Sequence, residues 1–143
     1  KSRNSHVKAT YHDSCNPARA MGLMDEPRYI LDHVVDWVEM PENTIREQTF
    51  CCGSGTGLNT DEIMELRMRS GFPRANAVKY VHDKHDVNML SCVCAIDRAT
   101  LTSLMNYWTP DVRVCGITEL VGNALVLEGE SRGELDDGLR TLL

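Results

Sequence analysis

Five of the six cysteines stand in an order with chemical meaning: Cys15 alone, the adjacent pair Cys51-Cys52 followed by Gly53, then Cys92 and Cys94 with one residue between them. Thiolates are soft ligands that suit zinc and iron–sulfur centres. The three groups are too far apart in sequence for a finger, whose ligands stay close along the chain, so a fold must bring them together from separate loops. Neighbouring residues of an extended backbone point to opposite faces. Cys51 and Cys52 therefore serve one small centre only if the chain turns sharply there, which Gly53, Gly55 and Gly57 permit. A single zinc ion is badly served by such a pair and takes four ligands, whereas a multi-iron cluster offers different irons to five diverging sulfurs. The order points to Cys15, Cys51, Cys52, Cys92 and Cys94 as ligands of a polynuclear iron–sulfur centre. Gly53 and Gly55 are the candidate cofactor-binding glycines, because a residue without Cβ lets backbone N–H groups reach cluster sulfides, and such hydrogen bonds tune reduction potential.

Other residue patterns carry weaker chemistry. Cys115, between Val114 and Gly116, reads as a buried free cysteine acting as a small hydrophobe. The run Gly53-Ser54-Gly55-Thr56-Gly57 lacks the lysine and the glycine spacing of a phosphate loop. His82 and His85 form an HxxH, but Asp83, Lys84 and Asp86 around them suggest solvated surface rather than a metal site. His12 and Asp13 lie just ahead of Cys15 and are candidate catalytic groups, either supporting the ligands by hydrogen bonds or supplying a proton; a structural hydrogen bond at a strand end is the plain alternative.

The elements that would position these residues alternate. Val7 to His12 is rich in strand formers and runs into the turn cluster Asp13 to Pro17. Pro27 starts a helix with Ile30, Leu31, Val34 and Val35 on one stripe. Val38-Glu39-Met40 reads as a short strand, and Thr49-Phe50 as another leading into Cys51. Asn59 with Glu62 marks a helix start, continued by Ile63, Met64, Leu66 and Met68 and broken at Gly71 and Pro73, with a further helix over residues 75–81. Val87 to Ser91 predicts a buried strand ending at Cys92. Asp97 reads as the cap of a helix carrying Leu101, Leu104, Met105 and Trp108. Val112-Arg113-Val114 is a last strand and Thr118 opens a last helix. The pattern predicts a single α/β domain with a mainly parallel sheet of about four or five strands flanked by helices. Ligands gather at the carboxyl ends of strands in such sheets, so all three cysteine groups are expected on one edge. Residues 128–143 read as a polar tail after a domain over residues 6–127.

With 143 residues the chain is long enough to bury a core without disulfide staples. A net charge of −6, from 21 acidic and 15 basic residues, leaves no basic stripe and argues against nucleic-acid binding. No run approaches the roughly eighteen apolar residues of a membrane span. The start at Lys1 is expected to reflect processing or excision from a longer protein.

The run Tyr11-His12-Asp13-Ser14-Cys15-Asn16-Pro17-Ala18-Arg19, the triplet Cys51-Cys52-Gly53 and the late Cys92/Cys94 pair resemble the cysteine-rich CCG domain of heterodisulfide reductase catalytic subunits. Within that family, the stretch from Cys51 to Asn59 and the run from Arg69 to Ala77 look most like the DsrK group, iron–sulfur subunits of a membrane complex of dissimilatory sulfur metabolism. The resemblance implies a noncubane [4Fe-4S] cluster held by Cys15, Cys51, Cys52, Cys92 and Cys94, at which disulfide-type substrates are cleaved by sequential electron delivery. For the DsrK-like case it implies a disulfide or trisulfide on a DsrC-type sulfur-carrier protein as substrate. It also implies partnership with the rest of its own subunit and with membrane-complex subunits, and a cytoplasmic location peripheral to the membrane. The ferredoxin-type cysteine motifs and second cysteine-rich half of such subunits are not in this chain, which fits the C-terminal portion of a longer subunit that would not turn over alone. One departure stands out: the family's last pair is usually CxxC, and here only Val93 separates Cys92 from Cys94. That leaves open whether both bind, and four protein ligands with one open iron would still accept a substrate sulfur. Two alternatives stand beside this reading. One is a CCG-domain relay of glycolate, lactate or glycerol-3-phosphate oxidation that passes electrons to quinone; the other is an interaction module without a redox role.

Overall fold

A computed structural model describes residues 1–55 and 57–130. Its four strands, β1 (Lys8–Tyr11), β2 (Asp36–Trp37), β3 (Met89–Cys92) and β4 (Arg113–Gly116), form one parallel sheet in the order β2-β1-β3-β4. Helices α1 (Asp25–Val34), α2 (Met64–Ser70), α3 (Phe72–His85), α4 (Ala95–Trp108) and α5 (Ile117–Ala124) complete the α/β domain that the alternating sequence pattern predicts.

Period-two alternation along the strands sorts their side chains onto two faces. Ala9 and Tyr11 of β1, Met89 of β3 and Cys115 of β4 share a buried layer with Leu31 and Val35 from the α1 end and with Ile117 and Leu120 of α5. Leu90 and Cys92 of β3 and Val114 of β4 face the other way, into a layer built with Ala77, Val78 and Val81 of α3 and Leu101, Leu104 and Met105 of α4. Cys52 belongs to this second layer together with Cys92. The sheet is thus covered on both faces, as parallel sheets require.

The strand order creates a crevice at the cysteine-bearing edge. From β1 the chain winds outward to β2, then returns to add β3 on the opposite side of β1. The winding reverses between β1 and β3, and the crevice outside the carboxyl ends of two such strands is where ligands bind in open α/β sheets. Register places Tyr11 opposite Ser91, and the His12 N–H donates to the Ser91 carbonyl at 2.9 Å, so the segments bearing Cys15 and Cys92 leave the sheet side by side.

Several local expectations are corrected. No strand forms at Thr49-Phe50; 3-10 turns at Glu42–Thr44 and Arg46–Gln48 precede it, and Arg46 sits at φ 55, which no ladder accommodates. The strand expected at Val38 lies two residues earlier, at Asp36–Trp37. The α2 region starts from Thr60, not Asn59, through a 3-10 turn at Asp61–Ile63, with the Thr60 hydroxyl accepting from the Glu62 N–H. Asp97 does not cap α4, whose N-cap is Cys94, and α5 starts at Ile117 behind Gly116 rather than at Thr118. His82 and His85 form the last turn of α3, with His82 Nδ1 at 2.7 Å from the Val87 carbonyl. Ahead of His6, Asn4 is buried and its amide donates to Val34 and Leu120 carbonyls. Of the expected polar tail, residues 128–130 are exposed and the rest lies outside the described residues.

Without a strand to hold it, the segment before Cys51 is fixed by side chains that meet its backbone. Asp13 is the hub. Its carboxylate accepts both terminal nitrogens of Arg28 at 2.9 and 2.8 Å and the Arg46 backbone N–H at 2.8 Å, while its carbonyl accepts the Thr49 hydroxyl at 2.7 Å. Arg28 also clasps Glu39 at 2.6 and 3.0 Å. Arg19, just past Cys15, donates to the Glu47 and Thr49 carbonyls, both at 2.8 Å. The end of β1 and the approach to Cys51 are thereby joined.

After the cysteine pair the backbone is held by glycine. Gly53 has φ +87, and a Cβ there would lie 2.5 Å from the Arg67 carbonyl and 2.8 Å from the Gly71 nitrogen, both main-chain atoms that cannot swing aside. Gly55, by contrast, has nothing within 4 Å of an added Cβ. Gly53→Ala is expected to cost at least about 2 kcal/mol, from the ~1–2 kcal/mol left-handed penalty plus the clash, while Gly55→Ala stays within about 0.5 kcal/mol of wild type. Urea unfolding of both variants checks this, and equal stabilities would refute the close backbone approach. Arg28→Met leaves Asp13 and Glu39 without their cation and is expected to cost about 3–5 kcal/mol. The Asp13 pKa is held below its usual value in the wild type, so its contribution is present above the unfolded value and lost as acid protonates it. The Arg28→Met deficit should therefore shrink below about pH 4; a deficit independent of pH would show that packing, not charge, is at stake.

Candidate metal centre

Cys15 follows β1 by four residues and opens the π-type turn Asn16–Ala20, where it is exposed. Cys51 is exposed as well, while Cys52 turns inward and is buried. The opposite orientations expected of adjacent residues are thus realised, with Gly53 making the turn. The Gly53 N–H donates to Cys51 Sγ at 3.3 Å, so the glycine supplies an N–H···S contact to the candidate ligand itself. Ser54 is buried with its hydroxyl accepting from Arg67 Nε at 2.8 Å, and Ser70 donates to the Gly53 carbonyl at 3.2 Å, anchoring the loop to α2.

Cys92 is the last residue of β3, fully buried, and Cys94 is the half-buried N-cap of α4, so Val93 alone makes the strand-to-helix turn. Burial pushes the Cys92 thiol above its usual range, and burial followed by Asp97 pushes Cys52 up to about 12. Both are neutral thiols without a metal, and a cation that binds them must displace their protons. Cys115 is also fully buried, with its pKa pushed up to about 12 by burial, but its side chain belongs to the opposite face of the sheet from Cys92 and Cys52.

His12 is buried, with Nε2 at 3.4 Å from Asp97 Oδ2, and the same Asp97 acts on Cys52. Burial lowers the His12 pKa despite Asp97, so the ring is neutral at pH 7, and its Nδ1 is buried without a hydrogen-bond partner. Burial works to raise Asp97, but His12, with Ser14 and Cys52 nearby, outweighs it and holds the carboxyl at about 2. For Asp13, burial is likewise outweighed by Arg28 and the Arg46 N–H, which hold it ionised; its oxygens are occupied by hydrogen bonds and carry no proton to give.

Two residues here escape a reading by motif. Asp97 looks like a helix cap but turns its carboxylate inward. Arg74 is fully buried and heads the stripe Arg74, Ala77, Val78, Val81 of α3, where a charged residue in phase with apolar ones is the signal that marks it.

Five thiols arise from three segments at one sheet edge, two buried and three at least partly open to solvent. Among the described residues no three His, Cys, Asp or Glu side chains stand close enough to hold a single ion. A soft, spread donor set fits a polynuclear iron–sulfur group, whose irons are themselves separated, better than one zinc. His12 Nδ1 and Arg74 Nε, buried and unpartnered, add polar groups on the same side.

No helix among the described residues is long and apolar enough to cross a membrane. No solved structure matches the chain. It is 51% identical over 127 residues to the Hdr-like menaquinol oxidoreductase iron–sulfur subunit of Archaeoglobus profundus, covering 88% of this chain and 23% of that protein. A subunit of the same description, numbered 2, from Archaeoglobus fulgidus is also 51% identical, over 128 residues, 89% of this chain and 23% of the relative. A subunit of the dihydromethanophenazine:CoB–CoM heterodisulfide reductase of Methanosarcina mazei is 34% identical over 130 residues, 90% of this chain and 30% of its own length. The chain spans less than a third of each relative. The family model of the cysteine-rich CCG domain matches residues 9–93. That match covers β1, the Cys51-Cys52-Gly53 turn and β3 through Cys92, and the chain belongs to the cysteine-rich CCG domain family, with iron–sulfur subunits of heterodisulfide-reductase-like enzymes among its relatives.

Proposed function

We propose that this chain is the iron–sulfur electron-transfer domain of a heterodisulfide-reductase-like oxidoreductase acting on a protein-borne disulfide or trisulfide. The observation that carries the reading is the delivery of five thiols to the edge where β1 and β3 part, with Cys52 and Cys92 in one buried layer. Cys15, Cys51, Cys52, Cys92 and Cys94 would hold a noncubane [4Fe-4S] cluster, which supplies one-electron steps to a two-electron sulfur couple. Cys52 and Cys92 form the enclosed side of the site, and Cys15 and Cys51 the side a partner can reach. Gly53 directs its N–H to the Cys51 sulfur, while Gly55, with open space around it, leaves room over the loop. His12, neutral and buried with a free Nδ1, is the group in this site able to take up a proton, and Asp13 acts by positioning the Cys51 segment.

The substrate this reading favours is a DsrC-type sulfur carrier, with the rest of the subunit and membrane-complex subunits as electron partners and a cytoplasmic, membrane-peripheral location. The acidic net charge of −6 suits a protein partner better than a polyanion. A second reading, electron relay to or from a quinone pool without sulfur chemistry at this domain, is favoured by the description of two relatives as menaquinol oxidoreductase subunits.

After anaerobic reconstitution about four irons and four sulfides per chain are expected, with Cys51→Ser and Cys52→Ser losing them and Cys115→Ser retaining them. Equal iron in all three variants would overturn the ligand assignment. To separate the two readings, an oxidised sulfur carrier is added to the loaded protein. A changed EPR spectrum supports sulfur chemistry at the site; a spectrum indifferent to the carrier, in a protein reoxidised by menaquinone, supports the relay.

A further inference from the structure

Arg74 is the one fully buried arginine among the described residues, and its guanidinium is satisfied only in part. Nη2 donates to the Thr44 carbonyl at 2.5 Å and to the Thr49 hydroxyl at 2.9 Å, and Nη1 lies 2.9 Å from Met40 Sδ. Its Nε is buried with no hydrogen-bond partner, and among the described residues no carboxylate closes a salt bridge with it. The Phe50 ring lies below it, with the guanidinium carbon 5.7 Å from the ring centre, immediately before Cys51. The acidic groups and thiols around it are Asp13, Asp97, Cys51 and Cys52. Asp13 is already matched by Arg28, and Asp97 faces His12.

A buried cation without an ion-pair partner is costly unless something else of opposite charge completes it. We propose that Arg74 is a positioning and charge-matching residue for the anionic cysteine-bound cluster, holding the Cys51-Cys52 segment through Thr44 and Thr49 while its positive charge favours the assembled and the reduced state. The proposal rests on the reading of the five cysteines as cluster ligands. No bond is made at Arg74: each electron that a bound cluster would take from a one-electron redox partner would make the site more negative, and a fixed positive charge in a low-dielectric surrounding would stabilise that state and raise the midpoint potential. Burial lowers the Arg74 pKa only to about 10, so the charge persists at pH 7.

The test uses Arg74→Gln, which removes the charge but keeps a polar side chain, and Arg74→Lys, which keeps the charge. Iron and sulfide content and the midpoint from an EPR-monitored redox titration are measured in the full chain after reconstitution. A more negative midpoint in Arg74→Gln, or loss of iron in that variant, with Arg74→Lys close to wild type in both, is the expected result. An unchanged midpoint at full iron in Arg74→Gln, or the same loss of iron in both variants, overturns the proposal and leaves Arg74 as a packing pin. Wild-type protein that takes up no iron instead refutes the cluster reading on which the proposal stands.

Discussion

The clasp between Asp13 and Arg28 is the interaction on which the arrangement of the cysteine groups depends. Two of those groups are placed by the sheet, because β1 and β3 are adjacent and parallel and end at the same level. The third is not, since residues 41–50 form no ladder and have no strand neighbour to fix their height. A loop of that length keeps its backbone groups satisfied only by finding side chains. Asp13 holds it at two points, its carboxylate accepting the Arg46 N–H and its carbonyl the Thr49 hydroxyl, and Arg28 keeps that carboxylate ionised and aimed. Thr49 links this hub to Arg74 and, through its carbonyl, to Arg19. The position of Cys51 is therefore inherited from the end of β1, where Cys15 also begins.

Charge sets the second constraint. Two ionised carboxylates, Asp13 and Asp97, lie near the proposed ligands, and the proposed thiolate-bound cluster would add further negative charge in a region where little water screens it. Arg28 answers one carboxylate. The neutral His12 faces the other at 3.4 Å but brings no full charge. On that reading the balance on the enclosed side of the site would fall to Arg74, the charged member of a helix stripe that otherwise carries alanine and valine.

Much of the fold was legible because period and termini agree. Alternation in Val7 to His12 and the buried-strand character of Val87 to Ser91, each followed by a turn or a helix start, identified the two central strands, and the i, i+3, i+4, i+7 spacing of Leu101 to Trp108 identified α4. The segments that end in Cys15 and Cys92 were legible from the strands before them, and Cys115 was placed in the core for the right reason, its position beside the apolar Val114. The 3-10 path before Cys51 was not legible, because Thr49 and Phe50 have strand propensity and only tertiary contacts with Asp13 and Arg74 override it. Asp97 was misread for a related reason: an acid in the first turn of a helix satisfies the general preference for negative charge there whether it faces solvent or His12.

The shortened spacing of the last cysteine pair gains a physical meaning from the strand-to-helix junction. Cys92 belongs to a strand and points into the layer shared with Cys52, while Cys94 is already the cap of a helix and sits at the rim. One intervening residue suffices because the chain passes from extended to helical backbone across Val93, which is itself exposed. The two sulfurs thereby differ in depth, as Cys51 and Cys52 do across their own turn. Each pair contributes one enclosed and one open sulfur, and Cys15 adds a third open one. A partner carrying a sulfur substrate would meet the side with Cys15, Cys51 and Cys94, while the buried sulfurs, His12 and Arg74 stay behind it, out of its reach and able to hold charge and proton in place.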